Sequence, residues 1–335
     1  MNEKQKCCII IFDEMSLSCQ IQYNKKEDYV EGVGKNGSSP EIVDHTNVFM
    51  VQGIYSRWKQ PEIGLNVIAT VCDQGGSNQA AINSLLKDTD EIFKRKGKEN
   101  KLFGFLVNDQ EIVALKEFTF YIERLAVGLA CRIAKWDHIK CLYYLDSEED
   151  ERICPKLTDR HILKERINKM KVSTCMQVFS YQVGSLMKGI AMWGAPDKTM
   201  LDETALDTAE LILFLDKLFD SLNANSKTGP TTKLLKGGVT ENSPHESFWR
   251  MAIETIQTMK FYSVQKQSLV TVPSLKNLIH TLKGFIYLKH VLLNKYNFKF
   301  ILTRFFNQDP LENFFSYIRS HGVRNVSPGP THFIR

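Results

Sequence analysis

Two stretches of the chain constrain most strongly what it can fold into. Ile9-Ile10-Ile11-Phe12 and Ile68-Ala69-Thr70-Val71-Cys72 are unbroken apolar runs rich in β-branched residues, and each ends in an aspartate, Asp13 and Asp73. A strand with one face in water alternates apolar and polar residues, whereas a strand covered on both faces does not. Both runs therefore belong inside a sheet that has cover on either side. Carboxylates at the ends of central strands converge at a sheet edge, where a hard cation can be held between them. For either aspartate alone the competing reading is the first residue of a turn.

The surroundings of these runs are β-rich at first and helical later. Residues 18–23 read as a strand able to pair with the first run, 32–40 as a loop by composition and 48–56 as a third strand. Residues 77–86 carry a helix signal, and 102–107 with 111–115 read as a strand or hairpin broken at Asn108-Asp109. From residue 118 the texture changes, and 118–136, 159–188, 203–222, 246–262 and 274–293 read as helices. A Gly/Pro/Thr-rich loop covers 227–244, and a short last helix begins near Asp309. The fold class is α/β, a mixed sheet with a large all-helical insertion.

With 335 residues, 43% of them apolar and 24% charged, the chain has room for two domains or for one with a large insertion. No apolar run approaches the ~18–20 residues of a membrane span. The run at 7–12 is also too short for a secretory signal, and Asp13 and Glu14 follow it at once. Eight cysteines precede residue 176 without a CxxC pair, which reads as buried reduced thiols. The net charge is +5; from Lys283 onward eight basic residues stand against Asp309 and Glu312, a local +6. A basic end points weakly to a polyanion, and a solvated helix face explains it as often.

A third carboxylate stands in Gln308-Asp309-Pro310-Leu311-Glu312-Asn313-Phe314-Phe315. As local structure this is a helix start, with Asp309 as N-cap, Pro310 at the first helical position and Glu312 closing a capping box. Glu312 also projects from the first turn, from which it reaches a metal pair if the helix packs on the sheet. Two aspartates from adjacent strands and a late helical glutamate are the parts of a two-metal nucleic-acid enzyme. Other signals are weaker. Gly75-Gly76-Ser77-Asn78 could offer backbone N–H groups to a phosphate but lacks the GxGxxG spacing. His138 and His161 stand alone and read as structural, and Lys94-Arg95-Lys96-Gly97-Lys98 reads as a solvated loop.

The chain resembles the catalytic region of the P element transposases and their relatives, the THAP-domain transposases. The matching words include Phe12-Asp13-Glu14-Met15-Ser16, Trp58-Lys59-Gln60-Pro61, Val71-Cys72-Asp73-Gln74-Gly75, Lys156-Leu157-Thr158-Asp159-Arg160-His161, Leu218-Phe219-Asp220-Ser221-Leu222-Asn223 and Asn307-Gln308-Asp309-Pro310-Leu311-Glu312. The resemblance implies an RNase H-like fold in which a helical GTP-binding domain precedes the final catalytic helix. It places RNase H-like segments at 1–116 and 271–335 and the insertion at 135–270. Asp13, Asp73 and Glu312 become the metal-binding catalytic triad, and Asp309 and, less specifically, Asp220 become contacts to GTP. The implied activity is DNA cleavage and strand transfer with Mg²⁺ or Mn²⁺ and with GTP. The implied partners are transposon DNA ends and further copies of the chain, in the nucleus and away from membranes. The alternative is an inactive transposase-derived nuclear protein that acts in DNA or protein binding.

Three departures from the family pattern add expectations. The chain opens at the first strand, with no THAP zinc domain before it, so site-specific DNA binding is expected to be missing. In an RNase H-like sheet the third strand crosses to the fourth on the far side of the first, and a parallel crossover needs a dozen or more residues. The stretch from Pro61 to Asn66 is too short for that, and 116–132 lacks the family's Asp-x-Pro-His-Leu word. These features lead us to expect a damaged scaffold.

Overall fold

The first apolar run becomes a central strand, with Cys7, Cys8, Ile9 and Ile11 wholly buried. A computed structural model describes the chain apart from residues 1, 26–27, 37–38, 56–63, 74, 117–125, 129–131, 164, 167–171, 195–200, 264–266, 271, 321–327 and 330–335. Its elements begin with α1 (Glu3–Lys6), β1 (Cys7–Ser16), β2 (Gln22–Asn24), β3 (Tyr29–Glu31), β4 (Val33–Asn36) and β5 (Ser39–Ile42). There follow β6 (His45–Gly53), β7 (Asn66–Cys72), α2 (Gly76–Arg95), β8 (Phe105–Val107) and β9 (Gln110–Lys116). Five of these strands make one mixed sheet in the order β6-β1-β7-β9-β8. β1 lies parallel to β7 and β7 parallel to β9, while β6 and β8 run antiparallel to their neighbours.

Three expectations are corrected in this unit. The partner of β1 on its outer side is β6, not residues 18–23; Gln22–Asn24 pairs instead with Tyr29–Glu31 in a separate ribbon. The stretch at 32–40 is not simply a loop, because Val33–Asn36 and Ser39–Ile42 form a hairpin in which Lys35 opposes Pro40 and Asn36 opposes Ser39. Composition alone hides these short strands. The connection to β7 needs no parallel crossover. β6 runs antiparallel to β1, so its last residue, Gly53, lies opposite Cys8, while Asn66 at the start of β7 lies opposite Cys7. The chain has only to pass the end of β1, about 10 Å for two strand spacings, well within the reach of the intervening link. That ground for a damaged scaffold falls away.

The link from β7 to β9 is a genuine crossover through α2, which buries Ile82 and packs Leu86 against Phe12, Val67, Cys72, Phe105, Ile112 and Ala114. Thr89 pins the helix to β8 by accepting the Leu106 N–H at 2.9 Å. The basic run at 94–98 is the solvated end of this helix, with Gly97 in the left-handed region at φ +64°. Asn108 and Asp109 connect β8 to β9 with φ +48° and +61°, as a two-residue type I′ hairpin requires.

The second compact unit spans Phe118–Arg304, and the first comprises Met1–Glu117 with Phe305–Arg335. The second holds β10 (Ala126–Gly128), β11 (Arg132–Ile133), α3 (Trp136–Glu148), α4 (Asp159–Ile162), α5 (Val172–Val178) and α6 (Tyr181–Trp193). It continues with α7 (Ala205–Leu222), α8 (His245–Thr258), β12 (Lys260–Ser263), β13 (Ser268–Val270) and α9 (Pro273–His290). The helices expected at 118–136 and 159–188 are therefore corrected. Ala126–Gly128 and Arg132–Ile133 join β12 and β13 in a four-stranded sheet, and 117–125 lie outside the described residues. The second expected helix is cut into three. A Thr158/His161 capping box starts α4, and the Ser180 hydroxyl accepts the Val183 N–H to start α6, so local caps override a continuous apolar period.

One core of this unit gathers Ile139, Leu142, Leu157, Val183, Met187 and Ile212 with their buried neighbours. Gly184 lets α6 approach α7, since a Cβ there would lie 2.8 Å from the Leu213 side chain. Elsewhere Trp249 is buried beside His245 and Phe285, and its indole N–H donates to Ser221 at 3.0 Å. Seven described cysteines are in no disulfide; Cys7, Cys8, Cys72, Cys154 and Cys175 are buried as expected, whereas Cys19 and Cys141 are exposed. Among the described residues no helix is long and apolar enough to cross a membrane.

Two outcomes follow from this packing. Asp109→Gly relieves a left-handed position and raises unfolding free energy by about 0.5–1 kcal/mol in a denaturant titration. Glu246 accepts from Arg250 at 2.8 Å and from the buried Lys289 at 3.0 Å, and these contacts hold its pKa down at about 2. A depressed carboxyl contributes stability above its ordinary pKa and loses it as pH falls through the folded value. Melting of the parent chain should thus decline more steeply between pH 4.5 and about 2 than melting of Glu246→Gln.

Candidate functional site

The parallel register of β1 and β7 runs to Phe12 opposite Cys72, so the next residues, Asp13 within β1 and Asp73 just past the end of β7, stand side by side. Asp73 turns back over its own loop, where the Gly75 N–H donates to its Oδ1 at 2.7 Å. A Cβ on Gly75 would sit 2.9 Å from that oxygen, so the glycine leaves room for the carboxylate. From the first turn of α2 the Asn78 amide reaches back and donates to Asp73 Oδ1 at 2.8 Å and to Asp13 Oδ1 at 3.2 Å. The two carboxylate oxygens therefore lie within about 6 Å of each other. The Glu14 N–H gives Asp13 Oδ1 a further bond at 2.8 Å.

Burial raises the pKa of Asp13, and the Asp73 charge raises it further; the Glu14 and Asn78 donors oppose both without cancelling them. Two hard oxygen donors this close together suit Mg²⁺ or Mn²⁺. Glu312 is placed differently. It stands exposed in the first turn of α10 (Asp309–Ser320), whose Leu311, Phe315 and Ile318 are buried and which packs against β1. Among the described residues no three carboxylate, imidazole or thiol side chains gather closely enough to hold an ion, so of the expected triad the structure brings Asp13 and Asp73 together. The helix also begins one residue earlier than expected. The Gln308 carbonyl accepts from Leu311 and Glu312 N–H at 2.9 and 3.0 Å, which makes Gln308 the cap and puts Asp309 and Pro310 in the helix.

In the stretch Gly75–Asn78 the Gly75 N–H and the Asn78 side-chain amide are spent on the aspartates. His138 bonds Thr208 at 2.7 Å and His161 bonds Gln177 at 2.6 Å, both within buried structure.

The residues expected to meet GTP lie in different units. Asp309 starts α10 in the sheet unit, while Asp220 belongs to α7 in the helical unit. Asp220 and Asp216, one turn apart, both accept from Lys233 Nζ, at 2.8 and 2.7 Å. A cavity of about 750 Å³ in the same unit is lined by Tyr143, Arg152, Thr158, Asp159, Arg160 and Arg166. There Asp159 accepts from Tyr143 Oη at 2.7 Å and Arg166 at 2.9 Å. Sequence reasoning passed over Asn78 and this cavity. The position of Asn78 in the first turn after Asp73 was the available signal for the one, and the word Lys156–His161 for the other.

A sheet of this order, with its acidic pair side by side on adjacent parallel strands and its final helix returning after a helical unit, defines an RNase H-like domain carrying an insertion. Comparison with known families agrees segment by segment. Residues 1–61 match the TNP-like RNase H N-terminal domain, 125–234 the TNP-like GTP-binding insertion domain and 305–335 the TNP-like RNase H C-terminal domain. Three segments of the chain thus resemble the successive domains of one group, the TNP-like proteins. The chain is 22% identical over 360 residues to the Transposable element P transposase of Drosophila melanogaster, in a match covering 99% of this chain and 45% of that protein. The chain thus spans somewhat less than half the length of that relative. Its fold matches the solved Drosophila P element transposase strand transfer complex with a TM-score of 0.79 at 21% identity, over 99% of this chain and 75% of that one.

The Lys233 clamp can be tested directly. Burial works against the charge of Lys233, but its bonds to Asp216 and Asp220 outweigh this and raise its pKa. Lys233→Ala leaves two partly buried carboxylates without a cation and should cost about 2–3 kcal/mol in a denaturant titration. The clamp's contribution is complete below the ordinary lysine pKa and lost as pH rises through the folded one, so the parent and Lys233→Ala should converge in stability only at high pH.

Proposed function

We propose that this chain is a transposase catalytic region that cleaves and joins DNA, with Mg²⁺ or Mn²⁺ bound at Asp13 and Asp73 and with GTP as cofactor. The observation that carries this reading is the convergence of the two carboxylates, one within β1 and one just past the end of β7, on one amide donor. An ion held there supplies activation of a water or a 3′-hydroxyl for displacement at phosphorus. Asp13 and Asp73 supply its oxygen ligands, and Glu312, on the helix that packs against β1, is the further carboxylate. The match to the GTP-binding insertion domain, which includes Asp220, supports GTP. The relation to a transposase strand transfer complex and the basic residues from Lys283 onward support DNA as the partner. Nuclear location and self-association belong to the same reading.

A second reading, a non-catalytic nuclear protein that binds DNA or protein, is favoured by one observation: no third metal-ligating side chain is gathered beside the pair among the described residues. A joining assay separates the two. With Mn²⁺, GTP and a duplex bearing a free 3′-hydroxyl, the parent should join that end into a supercoiled plasmid, while Asp73→Asn and Glu312→Gln should each lose about 10²–10³-fold or more. Equal product from parent and Asp73→Asn, or none from the parent at any metal concentration, favours the non-catalytic reading.

A further inference from the structure

We infer that Asn78 is a positioning residue for the acidic pair, one that fixes the mutual orientation of Asp13 and Asp73 before a cation binds; the inference rests on the reading of that pair as a metal site. Asn78 is 5% exposed and stands at the third position of α2. Asparagine is a poor residue inside a helix and is favoured where its side chain caps the backbone. Here it does not cap: the N-cap position is Gly75, which makes no side-chain bond, and the Asn78 amide spends its donors on two carboxylates from different strands. A buried side chain that bonds Asp13, 65 residues away, and Asp73, five away, ties together the two strands and the crossover helix.

The chemistry of the donor matters as much as its place. A lysine or arginine reaching between two carboxylates would neutralise them and compete with a metal ion for the same charge. A neutral amide orients both groups and leaves their combined charge of −2 available to a divalent cation. The raised pKa of Asp13 accords with charge that the amide leaves uncompensated, although the inference stands on the two bonds alone. Partners that hold metal ligands in place commonly change metal affinity by about 10–100-fold when removed.

The test is a Mn²⁺ titration of the full chain, read as melting temperature and as the Mn²⁺ paramagnetic signal, for the parent, Asn78→Ala, Asn78→Asp and Asp73→Asn. The parent should melt higher with Mn²⁺ and Asp73→Asn should not. Asn78→Ala should retain a cooperative transition and bind Mn²⁺ about 10–100-fold more weakly. Asn78→Asp keeps the shape but replaces the donor with a third carboxylate, so it should melt below the parent without metal and gain more than the parent from Mn²⁺. Mn²⁺ affinity of Asn78→Ala within twofold of the parent overturns the positioning role while leaving the metal site intact. Should Asn78→Ala fail to fold, an Asn78→Asp chain that melts like the parent without metal overturns it instead. A parent that binds no Mn²⁺, or binds it as well as Asp73→Asn does, overturns the metal reading and this inference with it.

Discussion

The parallel pairing of β1 with β7, which holds one register from Ile9 opposite Ala69 to Phe12 opposite Cys72, is the constraint on which the site depends. A one-residue slip between strands turns every side chain to the opposite face. Here a slip would separate Asp13 from Asp73 and also break the packing of Ile9 and Ile11 on one strand and of Ile68 and Val71 on the other. The register is therefore held by burial. Those side chains are between 0% and 4% exposed, and each is worth about 1.5–3 kcal/mol in water-to-core transfer. The acidic pair itself contributes no such stability. The raised pKa of Asp13 shows a carboxylate held against its preference, as expected where a sheet fixes charges for use.

The helical unit stands on its own packing. Its core gathers around Met187 and Ile212, and Trp249 is buried in the same unit. Its charged residues are organised economically. Lys233 serves Asp216 and Asp220 at once, and Lys289 serves Glu246 and a backbone carbonyl.

Much of this was legible in the sequence for physical reasons. Continuous β-branched runs mark strands covered on both faces, which is why β1 and β7 and the aspartates that end the two runs could be read directly. Asn108-Asp109 announced its turn because few residues tolerate two consecutive left-handed positions. Pairing partners were less visible. Residues 18–23 and β6 have similar local character, and only the packing of the whole sheet chooses between them. The direction of β6 decided whether a short link sufficed, and direction leaves no mark in composition. Asn78 escaped notice because its role lies in a contact across 65 residues. Helix ends within 159–188 escaped because single caps at Thr158 and Ser180 cut a pattern that the apolar spacing alone would have continued.

The most direct test of the account is anomalous diffraction from crystals of the chain soaked in Mn²⁺, at the wavelength of the manganese edge. The account predicts a peak bridging Asp13 and Asp73, with carboxylate oxygens at roughly 2.0–2.3 Å as for a small hard cation. Manganese peaks elsewhere, with none at the pair under saturating metal, would contradict it.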